Sequence, residues 1–240
     1  MAKKYFFNHR LIKKNGNTKL GNSIGTISKL MGDQIYNIPS IGEIMGSCGQ
    51  FCKGCKKNCY VCKSYRYPSV KLSHARTTLA FRIDIEKAFD DMFKQISSMR
   101  KPFEIIRIDQ SGELESIIEF NKYIELATKC PNTKFYVYTK AYNFVTDQLL
   151  NGQVPGNLVV LFSVWHEYGI SEYKKVAHLT NVKAFVYNDG FDYAKHDLYP
   201  TTWCKAYDEN GKMNHEISCD RCRKCFHCVD CWKVIFCNDH

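Results

Sequence analysis

The chain lacks any run of 18 uninterrupted apolar residues, and its start turns polar at Asn8, His9 and Arg10 right after Tyr5, Phe6 and Phe7. Neither a membrane span nor a secretory signal is therefore expected; the expected compartment is the cytoplasm, with no membrane partner. Internal repeats and low-complexity linkers are also missing, which argues against a solenoid or an array. Hydrophobic residues make up 45% and charged residues 24%, a balance that excludes disorder. Cysteine is the residue in excess. Thirteen occur in 240 residues, a length that can bury a core without staples. In a reducing compartment, clustered thiols read as metal ligands rather than disulfides.

The thiols fall in two blocks. Cys48, Cys52, Cys55, Cys59 and Cys62 occupy fifteen residues and contain Cys-x3-Cys-x2-Cys twice. Cys219, Cys222, Cys225, Cys228 and Cys231 recur at every third residue, with Cys237 beyond and Cys204 slightly upstream. Cys130 stands alone before Pro131 and reads as a packing residue. Three close thiolates in one loop can hold three corners of a four-iron cluster and leave one iron open. The Cys-x2-Cys-x2-Cys register of the tail is that of ferredoxins. Zinc is the rival, since Cys-x2-Cys pairs also make zinc knuckles. Without Cys130, twelve thiols allow two or three four-iron clusters, and spacing alone does not choose the partition. His215, His227 and His240 read as solvated tail residues that could substitute as ligands. The net charge of +10 counts every thiol as neutral. Each cluster on four thiolates brings roughly two negative charges, so the basic excess carries little weight for nucleic acid.

Between the blocks, strands and helices alternate. Strands are expected at 104–108, 134–138, 158–162 and 182–187, and helices at 116–129, up to 150, and 172–179. An earlier strand at Gln34–Ile38 would precede the first cysteine block, and a helical pattern broken once runs from Leu72 to Met99. Such alternation points to an α/β fold with a parallel sheet, either a partial barrel or a doubly wound sheet. In both, chemistry gathers at the carboxyl ends of the strands. The expected division is residues 1–200 as the (β/α) unit and 201–240 as a cysteine-rich region. Asp109-Gln110-Ser111-Gly112-Glu113 follows the strand at 104–108. Its small residues allow close approach of a ligand, and its carboxylate can accept from an ammonium group. Ser-Gly-Glu is equally an ordinary helix start, capped by Ser111. His166-Glu167 and His196-Asp197 near strand ends read as loop polarity or as acid–base pairs.

In motif order, residues 34–190 resemble radical S-adenosylmethionine (SAM) enzymes. The resemblance implies a partial (β/α)6 TIM-like barrel with a three-cysteine loop after the first strand. It implies SAM contacts from Gly112 and Glu113 at the methionine amine, and from Thr139 and Ser163 at later strand ends. A closer resemblance is to the phage "gene product 88" family. It rests on Asn17-Thr18-Lys19-Leu20-Gly21, on Cys48, Cys55 and Cys59-Tyr60, and on the segment Arg107 to Glu113. It continues in Tyr136-Val137-Tyr138-Thr139-Lys140 and in Cys225, Cys228 and Cys231-Trp232. Cys52, Cys62, Cys219, Cys222 and Cys237 are additions to that pattern, and Glu113 stands where aspartate is expected. A phage origin would place the protein in the host cytoplasm.

Together these readings lead to an iron–sulfur protein that cleaves SAM reductively, supplied with electrons by a reductant such as ferredoxin or flavodoxin. The resulting radical would act on an unknown substrate. Cys48, Cys55 and Cys59 are the first choice as ligands of the reactive cluster, with Cys52 and Cys62 close behind, and Glu113 as the amine acceptor. Two other readings use the same residues. One is an electron-transfer or nucleic-acid-associated iron–sulfur protein, contacting a strand through Lys13-Lys14 and Lys53–Lys63 with Tyr60, Tyr65 and Tyr67 interleaved. The other is a zinc-stapled binding module.

Overall fold

The computed structural model describes residues 9–14, 23–55, 59–100, 103–188, 190–208, 210, 212, 214, 216–227 and 233–238. Strands β1 (Lys13–Lys14) and β2 (Ile24–Thr26) precede a hairpin of β3 (Ile35–Ile38) and β4 (Gly42–Met45). A 3-10 segment, Gly49–Gly54, then leads to helices α1 (Val61–Ser64), α2 (Pro68–Ile83) and α3 (Ile85–Ser97). Alternation follows: β5 (Ile105–Ile108), α4 (Ile117–Lys129), β6 (Lys134–Thr139), α5 (Tyr142–Asn151), β7 (Leu158–Val164), α6 (Ile170–Val176) and β8 (Val182–Tyr187). The chain closes with β9 (Thr202–Trp203), α7 (Cys219–Cys222) and β10 (Val234–Cys237).

Eight of these strands form one sheet in the order β1-β2-β5-β6-β7-β8-β10-β9. The edge strand β1 is antiparallel to β2, and every other pairing is parallel. The fold is mixed α/β with a mostly parallel sheet. No pairing among the described residues closes it into a barrel. From β2 to β8 the strands lie in chain order, without the reversal that defines a doubly wound sheet. One face, with Ile106, Val137, Phe162 and Val186, packs against helix residues such as Phe81, Phe89, Phe120, Val145 and Val176. The opposite face, with Ile24, Tyr136, Leu161 and Phe185, packs against Phe226 and Cys225 of the carboxy-terminal region. That region also supplies β9 and β10 to the sheet itself.

Side-chain caps set two of the helix starts. Ser116 caps α4, its hydroxyl accepting from the Glu119 amide at 3.2 Å, and the helix presents Phe120, Tyr123 and Ala127 to the core. The break expected between Leu72 and Met99 falls at Asp84, whose carboxylate accepts from the Lys87 amide at 3.0 Å and starts α3. Central β7 is buried along its whole length, as its uninterrupted apolar sequence requires. The strand at Gln34–Ile38 exists but sits elsewhere. Its alternating exposure marks a half-solvated hairpin strand, turned through Ser40 and Gly42 at positive φ. The first parallel strand is instead Ile24-Gly25-Thr26, too short and too glycine-interrupted to show a pattern.

Candidate functional site

The loops that leave the carboxyl ends of β5, β6 and β7 meet the first cysteine block. A small cavity of about 70 Å³ opens between them. Cys48, Cys55 and Cys59 line it together with Gly112, Glu113 and Ser163, and Arg107, Asp109 and Lys140 are also in the wall. Cys48 is fixed by the Gly32 amide, which donates to its Sγ at 3.1 Å. A hydrogen bond with buried Cys52, then burial itself, push the Cys48 thiol up. Burial raises the Cys59 thiol to about 11, and its Sγ lies 3.5 Å from Met31 Sδ. These shifts describe protonated thiols. An added cation of any kind would reverse them, because a coordinating thiol is deprotonated.

Glu113 is buried and heavily engaged. Its Oε1 accepts from Thr139 Oγ1 at 2.7 Å and from the Leu114 amide at 2.9 Å. Its Oε2 accepts from the Lys140 amide at 2.8 Å. A carboxylate offers about four acceptor positions, so these three bonds leave one on Oε2, in a residue that lines the cavity. Thr139 does not line the cavity; it acts from behind, orienting Glu113. Gly112 has φ +92°, and a Cβ there would lie 2.4 Å from Ser47 Oγ and 2.8 Å from Lys29 Cβ. Glycine is thus required by the close approach of the chain to itself. Ser111 starts no helix: its hydroxyl donates to the Lys29 carbonyl at 2.9 Å, and the next helix waits for Ser116.

Behind this loop lies a side chain that sequence reasoning misses. Lys29 is fully buried, with Nζ 3.2 Å from Asp109 Oδ2 and 2.5 Å from Glu119 Oε1. The same Nζ donates to the Glu113 carbonyl at 2.5 Å. Burial raises the Asp109 carboxyl well above the usual range, against the pull of Lys29. A lone lysine between Ser28 and Leu30 reads as a surface residue, and nothing in its spacing marks it as a hub. Arg107 and Lys140 stand out in the sequence only as members of longer motifs. Arg107 lies 4.7 Å from the Tyr138 ring centroid and donates from Nη2 to the Tyr60 hydroxyl at 3.3 Å; its buried Nε has no hydrogen-bond partner. Burial alone would lower the Lys140 ammonium, but Cys55 and Glu113 outweigh it and hold it up.

A second group of thiols packs on the sheet face that carries Tyr136 and Phe185. Cys204, Cys219, Cys222 and Cys225 line one cavity of about 20 Å³. Burial, then the neighbouring Cys219 and Cys204, push the Cys225 thiol up, opposed by a hydrogen bond with Tyr138. Tyr138 lines both cavities and so forms the partition between the two thiol groups. The remaining expected ligands are dispersed. Cys62 is exposed, and its Sγ points at Met31 Sδ from 3.9 Å. Cys237 is buried on β10 among apolar side chains, and Cys130 is buried at the end of α4. Cys228, Cys231, Trp232, His215, His240 and Asn17–Gly21 lie outside the described residues. Among the described residues, no three His, Cys, Asp or Glu side chains form a ready-made site for a single metal ion. His166 and His196 both pack against Phe191, each with ring centroids 5.3 Å apart, away from the thiol cavities.

A roomier cavity of about 580 Å³ adjoins the first. It shares Phe51 and Lys140 with the cysteine cavity and adds Tyr142, Asp147, Trp165 and Lys175. No helix among the described residues is long and apolar enough to cross a membrane. Neither a curated protein nor a solved structure matches the chain. The gene product 88 family model matches residues 7–232, and the chain therefore belongs to that family.

Proposed function

We propose that the chain is an iron–sulfur enzyme of the radical SAM type, built on strands β2 to β10 as a partial barrel with its carboxy-terminal region as an auxiliary iron–sulfur unit. One observation carries the reading. Cys48, Cys55 and Cys59 share a cavity with Glu113, Gly112 and Ser163 at the carboxyl ends of the strands, faced by Arg107 and Lys140. The donor set fits an anionic thiolate-bound group. Two cations, Arg107 and Lys140, face the cavity with the carboxylates of Glu113 and Asp109, the latter 3.2 Å from Lys29 Nζ, and the buried Arg107 Nε has no hydrogen-bond partner. Cys48, Cys55 and Cys59 would hold the group by three thiolates, and Cys204, Cys219, Cys222 and Cys225 would hold a second, closed one. Zinc at the tail thiols would serve the same geometry but not the charge pattern of the first cavity.

When bound, a reduced four-iron cluster with SAM supplies cleavage of the sulfonium C–S bond and hydrogen abstraction from a substrate. The chain's own residues do the positioning. Glu113, held in one orientation by Thr139 and the Lys140 amide, would accept the methionine ammonium at its remaining acceptor position. Lys140 and Arg107 offset thiolate charge. Phe51 walls the cavity from the 580 Å³ space beyond, whose aromatic and charged lining offers room for the substrate. Ferredoxin or flavodoxin is the expected source of electrons.

Anaerobically reconstituted protein, mixed with SAM and dithionite, should release 5′-deoxyadenosine, measured by liquid chromatography and mass spectrometry. Glu113→Gln should lower that release roughly tenfold or more while keeping the iron content. Iron-loaded protein that releases none would overturn the radical assignment, and colourless zinc-loaded protein would overturn the iron–sulfur assignment as well.

A further inference from the structure

The basic excess of the chain is confined to two stretches. Residues 1–32 contain seven Lys and Arg and no Asp or Glu; residues 44–83 contain eight and none. The other 168 residues hold nineteen Lys and Arg against all twenty-four acids, so the net positive charge belongs wholly to the two acid-free stretches. The fold brings these stretches together. β1, β2, α1 and α2 all derive from them, and a cavity of about 520 Å³ opens between these elements. That volume lies within the range of small-ligand pockets.

Beside Leu11, Val61 and Val70, the lining is basic and hydroxylic. Lys13, Lys14 and His74 face it, with seven serine and threonine residues, and among the described residues no Asp or Glu does. Lys13 Nζ donates to Ser73 Oγ, and His9 Nε2 lies 3.3 Å from Thr77 Oγ1 on the same helix. Lys13 acts electrostatically on His9 and His74, and Arg76 acts on Lys13. Burial and then Arg76 pull the Lys13 ammonium down to about 8. Burial, Lys13 and Arg76 hold His9 at about 4, and burial, Lys13 and His9 hold His74 at about 4. With both imidazoles neutral, the positive charge at the wall is that of Lys13 and Lys14, with Arg76 near Lys13; set among hydroxyls without a carboxylate, it leaves a repulsion for an anion to relieve. Tyr60 and Tyr67, also in the wall, add flat faces on which a base can stack.

We propose that this cavity binds a nucleotide phosphate, either as a free nucleotide or as one unit of a single strand. The site adjoins the thiol cavity, sharing Tyr60, Val61, Gln110 and Ser111 with it, but contains none of its cysteines, and it stands whether or not the iron–sulfur reading holds. Two probes distinguish the sources: AMP, followed by calorimetry, and a fluorescein-labelled thymidine oligonucleotide, followed by anisotropy. Both are applied to the full chain at low and moderate salt. Saturable binding of AMP assigns a free nucleotide; binding of the oligonucleotide alone assigns a strand. Lys13→Gln with Lys14→Gln should weaken binding roughly tenfold or more and lower the salt slope by about two. Removing the same charge elsewhere, with Lys94→Gln and Lys205→Gln, should change affinity less than about twofold. Ser69→Asp supplies an independent check. It sits in the first turn of α2, where an acid suits the helix, yet it adds a negative charge to the cavity wall and should also weaken binding. The proposal is overturned if neither probe binds below about 1 mM, if the remote pair weakens binding as much as the Lys13 and Lys14 pair, or if Ser69→Asp has no effect.

Discussion

Replacing Lys29 with methionine tests the scaffold behind the thiol cavity. The side chain keeps a similar length but loses the charge that meets Asp109 at 3.2 Å and Glu119 at 2.5 Å in full burial. Removing one partner of a buried ionic group leaves the other uncompensated, at a cost of about 3–5 kcal/mol. Set against a domain stability of roughly 5–15 kcal/mol, this is a large share, and it corresponds to a fall in Tm of about 6–20 °C for a chain of this size. Circular dichroism on heating, and urea titration at fixed pH, read the loss. The sign of its pH dependence follows from the two carboxyls. Burial already raises the Asp109 carboxyl, and the Glu119 carboxyl lies raised as well. Without Lys29 both rise further above their unfolded values, so the deficit grows as pH climbs through neutrality and shrinks toward pH 4. Adding Asp109→Asn and Glu119→Gln to the methionine variant should restore much of the stability. A methionine variant within about 1 kcal/mol of the parent at pH 7 would refute the hub.

Two further perturbations bear on neighbouring elements. Gly112→Ala places a Cβ 2.4 Å from Ser47 Oγ at a backbone φ of +92°; strain and overpacking together should cost roughly 2–5 kcal/mol by urea titration, and a loss below about 1 kcal/mol would contradict the packed loop. His9 and His74 are held at about 4, below the ordinary 6.5. The folded state therefore binds fewer protons than the unfolded state in that interval, so stability is full above pH 6.5 and falls as pH drops toward 4. Denaturation of His9→Asn with His74→Gln across pH 7 to 4.5 should show a shallower decline than the parent, and an identical decline would contradict the assignment.

Helices and central strands are legible in the sequence because their signals are local and repeated. The apolar spacing of Ile117, Phe120, Tyr123, Ile124 and Ala127 fixes one face of α4, and Ser116 supplies its start. Leu158 to Phe162 can be read as buried on both faces. Gln34–Ile38 misleads because a strand pattern carries no information about its partner: its alternation belongs to a hairpin. Gly25 hides the true first strand. A glycine there reads as a break, yet its place is set by Phe103, whose ring would stand 2.8 Å from any Cβ at that position. At the site, cysteine spacing announces metal chemistry but not its partition. Cys204 stands fifteen residues before Cys219, and only the fold brings it to the same cavity as Cys219, Cys222 and Cys225. Lys29, Arg107 and Lys140 are illegible for a related reason. Their role depends on burial among partners distant in sequence, which single-residue patterns do not encode.

The most direct test of the central claim is iron and acid-labile sulfide per chain, measured on anaerobically reconstituted protein, parent and variants together. Two four-iron groups require about eight irons and eight sulfides per chain, with absorbance near 400 nm. Replacing Cys48, Cys55 and Cys59 by alanine should remove about four irons, and replacing Cys204, Cys219, Cys222 and Cys225 should remove about four others. Stoichiometric zinc without sulfide, or iron unaffected by either set of substitutions, would contradict the account.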